Sequence, residues 1–413
     1  MFRAARARAF VGEGGPLRHR ESTNRIGGGM VAGRPGHHHR YLGLAGGAVE
    51  AAGPASGTMM KCAFAKGYGR IDEMVGFSKT WPCPEPKEDE ILIRVLACSL
   101  APGDIRNLRG DCDLLGPECP YIVGGDVCGV VVKVGSAGKN SKKEHKFQIG
   151  DRVAAMFYFR PQGGVAEYAC VKKSNTEIVP RTMPSIQAAA LPSSALSAMI
   201  AAKQVKKGDR VLILGASGGV GSHLIQFVKL NGASLIAATS TDSKLLTSLG
   251  VDRPIDYRKE NWWTLKEFTG GEKRFDVIFD LVGSYESWAR AKKKTVLKGG
   301  WHGGRYTSFV GDERYMQIHS AWEMFAFMWR LLSRATFTRI FWPFLPKYTH
   351  FLDLEPGGGN LEEVLRMAGE NKFKIILDKK SPFPFTLQGV KSAMKLQESY
   401  RAKGKIVIKI SSQ

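Results

Sequence analysis

The chain is predicted to be an α/β protein in which a doubly wound parallel sheet is set inside a β-rich unit, and three observations carry that prediction. The first is Val211-Leu-Ile-Leu-Gly-Ala-Ser-Gly-Gly-Val-Gly-Ser222, an apolar run that feeds a glycine-rich turn, followed by the helix-like stretch His223 to Leu230. A turn with few side chains lets backbone approach a pyrophosphate, and the amides that open a helix are unpaired donors at the positive end of its dipole. The second is the alternation of strand-like and helix-like stretches that follows, which reads as βαβ units and a parallel sheet. The third is the texture from Lys61 to about Pro180, where short runs such as Glu90 to Ala97 and Gly129 to Val134 are rich in Val, Ile and Leu and separated by turns.

The chain has 413 residues, enough for two domains of ordinary size. Its 60 Lys and Arg against 38 Asp and Glu give a net charge of +22. No RNA-binding signature or helix-turn-helix pattern accompanies that charge, so it reads as a solvated basic surface, and no nucleic-acid partner is expected. Seven cysteines without a C-x-x-C pair point to reduced thiols rather than a disulfide framework or a zinc knuckle.

Residues 1–58 carry eight arginines, no lysine and three glutamates. The basic, acid-free start reads as an organelle-targeting segment. A disordered tail, or an upstream extension ahead of a start at Met59 or Met60, are the other readings. His37-His-His39 lacks a second ligand cluster and makes a poor preformed metal site. The β-rich unit is assigned to 59–181. The dinucleotide-binding unit spans 182–355, with strands at Ser234–Ala238, Pro254–Asp256 and Phe275–Asp280 and helices near Ser243–Leu249, Trp262–Phe268 and Tyr285–Leu297. Residues 356–413, with strand-like Phe373–Leu377 and Gly404–Ile410 around a helix at Leu387–Glu398, are too few for a third domain and are expected to return to the first.

Between 321 and 346 lies a stretch of mixed aromatic and basic residues, Ala321 to Leu332 and Phe341 to Pro346. Its uncharged runs fall short of the roughly 20 residues of a transmembrane helix. Burial in the core or against a second copy in a homodimer is favoured over peripheral contact with a membrane.

The cofactor can be read from charge. A site for NAD usually holds a carboxylate about 20 residues past the glycines, on the ribose hydroxyls. Here Thr239 takes that place. Ser240, Thr241, Lys244 and Tyr257 offer hydroxyls and a cation to a 2′-phosphate, which points to NADPH. Asp242, three residues on, is the contrary feature, and Arg258 and Lys259 are auxiliary candidates.

From about Met60 onward, five motifs in order carry a resemblance: Asp104 to Gly110, Val123 to Val130, Gly150-Asp-Arg-Val153, Leu191-Pro192 and Ala216-Ser-Gly-Gly-Val-Gly221. The chain resembles the medium-chain dehydrogenase/reductase superfamily, in its zinc-free quinone oxidoreductase (zeta-crystallin-like) branch. The resemblance implies a GroES-like β-rich catalytic domain interrupted by a Rossmann domain, with the active site in the cleft between them. Zinc-binding alcohol dehydrogenases of this superfamily place a cysteine three residues before the aspartate of the first motif and a histidine-glutamate pair in the second. Those positions are Ala101, Gly125 and Asp126, so no metal is expected. Lacking ligands for a Lewis acid, the chain suits a quinone or α,β-unsaturated carbonyl better than a simple carbonyl, because the developing charge is delocalised.

The resemblance places the cofactor on Ala216, Ser217, Gly218, Gly219, Val220 and Gly221, with Ser240, Lys244 and Tyr257 at the 2′-phosphate and Ser197 near the nicotinamide. Val282-Gly283 and Gly303-Gly-Arg305 are expected to pass under the cofactor at strand ends. Ser99, Asp104 and Tyr121 are the catalytic candidates in the cleft, with Tyr158 as another hydroxyl donor. The leader and the Gly303–Ser308 stretch with its aromatic insertion look like the reticulon-interacting mitochondrial reductases. An NADPH-dependent quinone or enone reductase located in mitochondria is the leading reading, with a plastid or cytoplasmic location as the alternative. An enoyl-thioester reductase, or an NADPH-binding interaction protein with little turnover, are the alternatives for function.

Overall fold

The computed structural model describes residues 53–412, except 113, 115, 136–145, 158–162, 294, 311, 313–317, 342–343 and 352–359. The leader up to residue 52, with its three histidines, and Tyr158 lie outside the described residues.

The β-rich unit begins with β1 (Met59–Ala65), a single-turn helix α1 (Ile71–Met74), β2 (Val75–Pro82) and β3 (Glu90–Leu100). All but one residue of β3 is buried, which suits its near-continuous Ile, Leu and Val. Helix α2 (Pro102–Arg109) follows, started by Pro102 at a first-turn position and stopped by Gly110 at φ 72°. Then come β4 (Tyr121–Ile122), β5 (Asp126–Val134), β6 (Arg152–Met156), β7 (Tyr168–Lys172) and β8 (Thr176–Ile178). Strand β3 is the hub: it pairs antiparallel with both β5 and β7.

Helices α3 (Ser185–Ala189) and α4 (Pro192–Ala202) lead into the second unit. Strand β9 (Arg210–Leu214), helix α5 (Gly219–Leu230), β10 (Leu235–Thr239), α6 (Ser243–Leu249) and β11 (Arg253–Ile255) form its first half. The second half has β12 (Val277–Asp280), α7 (Tyr285–Ala291), β13 (Arg305–Ser308), α8 (Ala321–Thr336) and β14 (Lys347–His350). The sheet order is β11-β10-β9-β12-β13-β14, all parallel. That order reverses direction between β9 and β12, and a crevice opens there outside the carboxyl ends of the strands. Trp288, Tyr306 and Tyr348 pack against one another on this sheet, with centroids 5.1–5.9 Å apart.

Helix α9 (Asn360–Gly369) buries Leu361, Val364 and Leu365 in the same core as α4 and α5. The chain then crosses back to the β-rich unit. It does so through β15 (Phe383–Pro384), α10 (Leu387–Glu398) and β16 (Ile406–Lys409), and β16 pairs antiparallel with β3. Val390, Met394, Ile406 and Ile408 complete the core of the β-rich unit.

Three local expectations differ. The stretch Trp262–Phe268 forms a turn and one 3-10 turn at Lys266–Phe268, because Trp262 and Phe268 both anchor into the core and leave no regular helical face. Helix α7 ends at Ala291 rather than 297. Phe373–Leu377 forms no strand; only Leu377 bridges to Lys405.

Candidate functional site

The glycine turn sits at the crevice. Gly215 has φ 78°, and a Cβ there would come within 2.9 Å of Val282 Cγ2, so the residue that ends β9 must be glycine on both counts. Ala216 is buried under helix α5, where a Cβ on Gly221 would meet its Cα at 2.6 Å. Alanine at 216 and glycine at 221 are thus two halves of one close contact. Gly218 caps α5 and offers no side-chain acceptor, so Gly219, Val220 and Gly221 open the helix with amides suited to an anion. Gly283, with φ 76°, lies across the crevice after β12, held by Asp280, whose carboxylate accepts the amides of Val282 and Gly283 and the Tyr306 hydroxyl at 2.6–3.0 Å.

At the end of β10, Thr239 turns inward: its hydroxyl accepts the Gly215 amide at 2.9 Å and its carbonyl accepts the Ala216 amide at 3.0 Å. Asp242 is spent as the cap of α6, accepting the Leu245 amide at 3.0 Å, and Arg258 forms a fork with Asp256. Lys244 is exposed on the first turn of α6, and Tyr257 is exposed two residues past β11.

A cation at this strand end was missed by sequence reasoning. Lys403 Nζ lies 2.9 Å from Thr241 Oγ1, 3.3 Å from Ser240 Oγ and 3.4 Å from Ser217 Oγ. Burial holds its pKa below the usual lysine value. The return segment delivers it: Gly404 donates its amide to the Ser217 carbonyl at 2.8 Å and bridges to Gly218. A cation ringed by three hydroxyls at this place fits the 2′-phosphate of NADPH.

Two residues on, Lys405 turns into the β-rich unit. Its Nζ lies 3.2 Å from Asp126 Oδ2 and 3.1 Å from the Leu100 carbonyl, and its side chain is 4% exposed against 2% for the aspartate. Ser99 and Ser193 also donate to Asp126 Oδ2, at 3.2 and 2.5 Å. The lysine stem runs beside α5, where a Cβ on Gly219 would come within 2.7 Å of it. This network binds β3, β5, α4, α5 and the return segment together.

The structure brings the three catalytic candidates into one neighbourhood and gives them different states. Ser99 is fully buried and committed to Asp126. Asp104 accepts the amides of Ala101 at 2.7 Å and Gly124 at 3.1 Å; burial, with the charge of Asp126 adding to it, raises its pKa to about 6 against those two bonds. The Tyr121 hydroxyl is buried with no hydrogen-bond partner among the described residues; burial and the nearby Asp104 raise its pKa, so it keeps its proton. Ser197, buried on α4, donates to the carbonyl of Ser193 at 2.7 Å.

One expected cofactor contact is corrected. Gly303, Gly304 and Arg305 stand at the amino end of β13, and the Arg305 guanidinium pairs with Asp209 at 2.7 Å on that edge. Glycines flank both ends of a parallel strand, and the pattern does not say which end faces the ligand. Among the described residues no group of three or more His, Cys, Asp or Glu is placed to hold a metal ion.

Residues 87–182 match the alcohol dehydrogenase GroES-like domain family, and residues 249–408 match the family described as zinc-binding dehydrogenase. The NADPH-dependent alkenal/one oxidoreductase of Arabidopsis thaliana chloroplasts is 30% identical over 346 residues, covering 83% of this chain and 77% of the relative. The mitochondrial NAD(P)H oxidoreductase RTN4IP1 of Mus musculus is 34% identical over 279 residues, covering 62% and 67%. Among solved structures, the quinone oxidoreductase of Escherichia coli complexed with NADPH superposes with a TM-score of 0.65 at 20% identity, covering 84% of this chain and 99% of that one. With the parallel sheet, the glycine turn and the returning C-terminal strand in place, the chain belongs to the medium-chain dehydrogenase/reductase superfamily, in its quinone oxidoreductase branch.

Proposed function

We propose that the protein is an NADPH-dependent oxidoreductase acting on quinones or α,β-unsaturated carbonyls without a metal. The observation that carries this reading is the state of the cleft floor. At the position where zinc-binding relatives carry a glutamate, Asp126 is neutralised by a buried lysine and two serine hydroxyls. Ala101 and Gly125 beside it have no ligating atom in their side chains. A floor with its charges paired does little for a localised alkoxide, and suits an acceptor that spreads the incoming charge over its own conjugated system.

When bound, NADPH supplies the hydride. The helix α5 amides hold its pyrophosphate; Lys403, Ser217, Ser240 and Thr241, with Lys244 and Tyr257 around them, hold its 2′-phosphate; Gly283 borders the nicotinamide side with Ser197. Lys405 and Asp126 keep the two units in register. Tyr121 is the candidate that holds a proton for the reduced acceptor, since Ser99 and Asp104 are engaged elsewhere.

The relatives with organellar names, mitochondrial and chloroplastic, support an organellar location, and the arginine-rich leader supports a mitochondrial one. The protein works as a homodimer, to be read by analytical ultracentrifugation, and touches a membrane through the 321–346 stretch. Stopped-flow oxidation of NADPH against a panel of quinones, alkenals and enoyl thioesters tests the activity. Turnover with the first two classes is expected. Preference for enoyl thioesters would reassign the substrate, and tight NADPH binding with no acceptor would reduce the protein to a binding role.

A further inference from the structure

Helix α8 has two apolar faces, and its own domain uses one. On the inner side Leu331 is buried in the core beneath β14, with Phe327 and Ala335 packed against it. Arg334 pins that side with a bidentate pair to Asp312 at 2.6 and 2.7 Å and lies over the Tyr348 ring. The helix cannot roll to hide its other face. There, at three- and four-residue spacing, stand Trp322, Phe325, Trp329 and Leu332, and the stripe runs on to Ile340 in the wider turn after the helix. Trp322 is 73% exposed and Trp329 62%. The rings stack in sequence, Trp322 on Phe325 at 5.5 Å and Phe325 on Trp329 at 6.3 Å. Near the amino ends of β13 and β14 Trp301, also exposed, stacks on Phe344 at 5.9 Å.

The charges around this stripe identify its occupant. Arg330, Arg339 and Lys347 are exposed. Glu323 is the only acidic residue from 318 to 350, and its carboxylate is tied to the amides of His319 and Ser320 in the capping box. A two-fold contact with a second copy would set these cations against their own mates, with little acid to offset them. A surface of anionic lipid headgroups takes the same cations favourably, and indole rings settle at the level where hydrocarbon meets headgroup. No helix among the described residues is long and apolar enough to cross a membrane, so this one lies along the surface.

We propose that the outward face of α8 and the turn after it dock in the plane of an anionic bilayer. The helix begins next to the cleft, since Ile318 donates its amide to the Asp111 carbonyl at 3.0 Å just past α2. Docking therefore sets the cleft-side start of α8 at the membrane surface, from which a lipid-soluble acceptor is drawn; this last step alone rests on the reductase reading.

The test is flotation of the full chain with phosphatidylcholine vesicles containing phosphatidylglycerol, against phosphatidylcholine alone, together with quenching of tryptophan fluorescence by brominated lipid. Binding to the anionic vesicles with quenching is expected. The triple change Trp322→Ser, Phe325→Ser, Trp329→Ser should lower partitioning about a hundredfold. The pair Arg330→Glu, Arg339→Glu should remove the preference for anionic lipid. Both variants should keep wild-type NADPH affinity and oxidation of a water-soluble quinone. Wild-type protein that stays with the unbound fraction overturns the proposal. So does a triple variant that floats like wild type, which would assign binding to the arginine-rich leader. A triple variant that loses self-association while neither protein floats gives the face to a second copy. Failure to oxidise the soluble quinone would sink the reductase reading and leave the flotation result standing.

Discussion

Two lysines on either side of Gly404 do opposite things. Lys403 ends among the hydroxyls of Ser217, Ser240 and Thr241, its charge directly bonded to no carboxylate among the described residues. Lys405 ends on Asp126 in the floor of the β-rich unit. Successive odd positions of an extended segment would share a face, but the chain turns at Gly404, whose φ is 87°, and sends the two stems apart. One end of the cleft thus keeps a cation available for an anion brought by the cofactor, while the other has neutralised its charge internally.

The largest effect is expected at the internal pair. Lys405→Met leaves Asp126 buried without its cation, and is expected to cost about 3–5 kcal/mol in urea unfolding. Pairing it with Asp126→Leu should return a good part of that loss. If the double variant is no more stable than the single, the lysine stem matters and its charge does not. At the open end, Lys403→Ala should weaken NADPH by about tenfold to a hundredfold in fluorescence titrations and leave NADH nearly unchanged. Lys244→Ala should act in the same direction with a smaller effect; equal losses for both cofactors would remove either lysine from the phosphate site. Between the two ends, Gly221→Ala forces a methyl toward Ala216 and should cost about 1–3 kcal/mol, with a matching fall in cofactor affinity as α5 shifts.

The smallest effect is in pH. Burial holds His223 and His350 neutral down to about 4. Unfolding lets them take up protons below their ordinary 6.5, so they make stability fall as pH drops through the window from 6.5 to 4. Asp104, raised to about 6 from 3.8, binds its proton more readily folded than unfolded, and over most of the same window works the other way. His223→Gln should flatten the acid side of a melting-temperature profile, and Asp104→Asn should steepen it. Unchanged slopes would mean these groups titrate alike in both states.

Local chemistry was legible from the residues. The glycine turn, the threonine in place of an acid at 239 and the parallel strands need only neighbours in sequence and stand where those signals put them, while the helix read at 262–268 does not form. Lys403 and the Asp126–Lys405 pair were not legible, because they join positions 186 and 279 residues apart and depend on a crossing that no periodicity announces. Arg305 differs for a related reason: it was expected at the end of a strand, but its sequence does not say which end faces the crevice. The aromatic stretch shows a third kind of difficulty. Its composition favoured burial, yet a helix with two apolar faces can bury one and present the other, and only the packing of Leu331 and the pairing of Arg334 decide which.

The turn at Gly404 also makes two events thermodynamically one. The same three residues touch Thr241 just past β10 and Asp126 in the floor of the β-rich unit. On the proposed reading, a phosphate that settles on Lys403 steadies the same turn that docks Lys405. Bound NADPH should raise the melting temperature of both units together, as a single transition, because the segment that reads the cofactor is also the clasp that closes the fold.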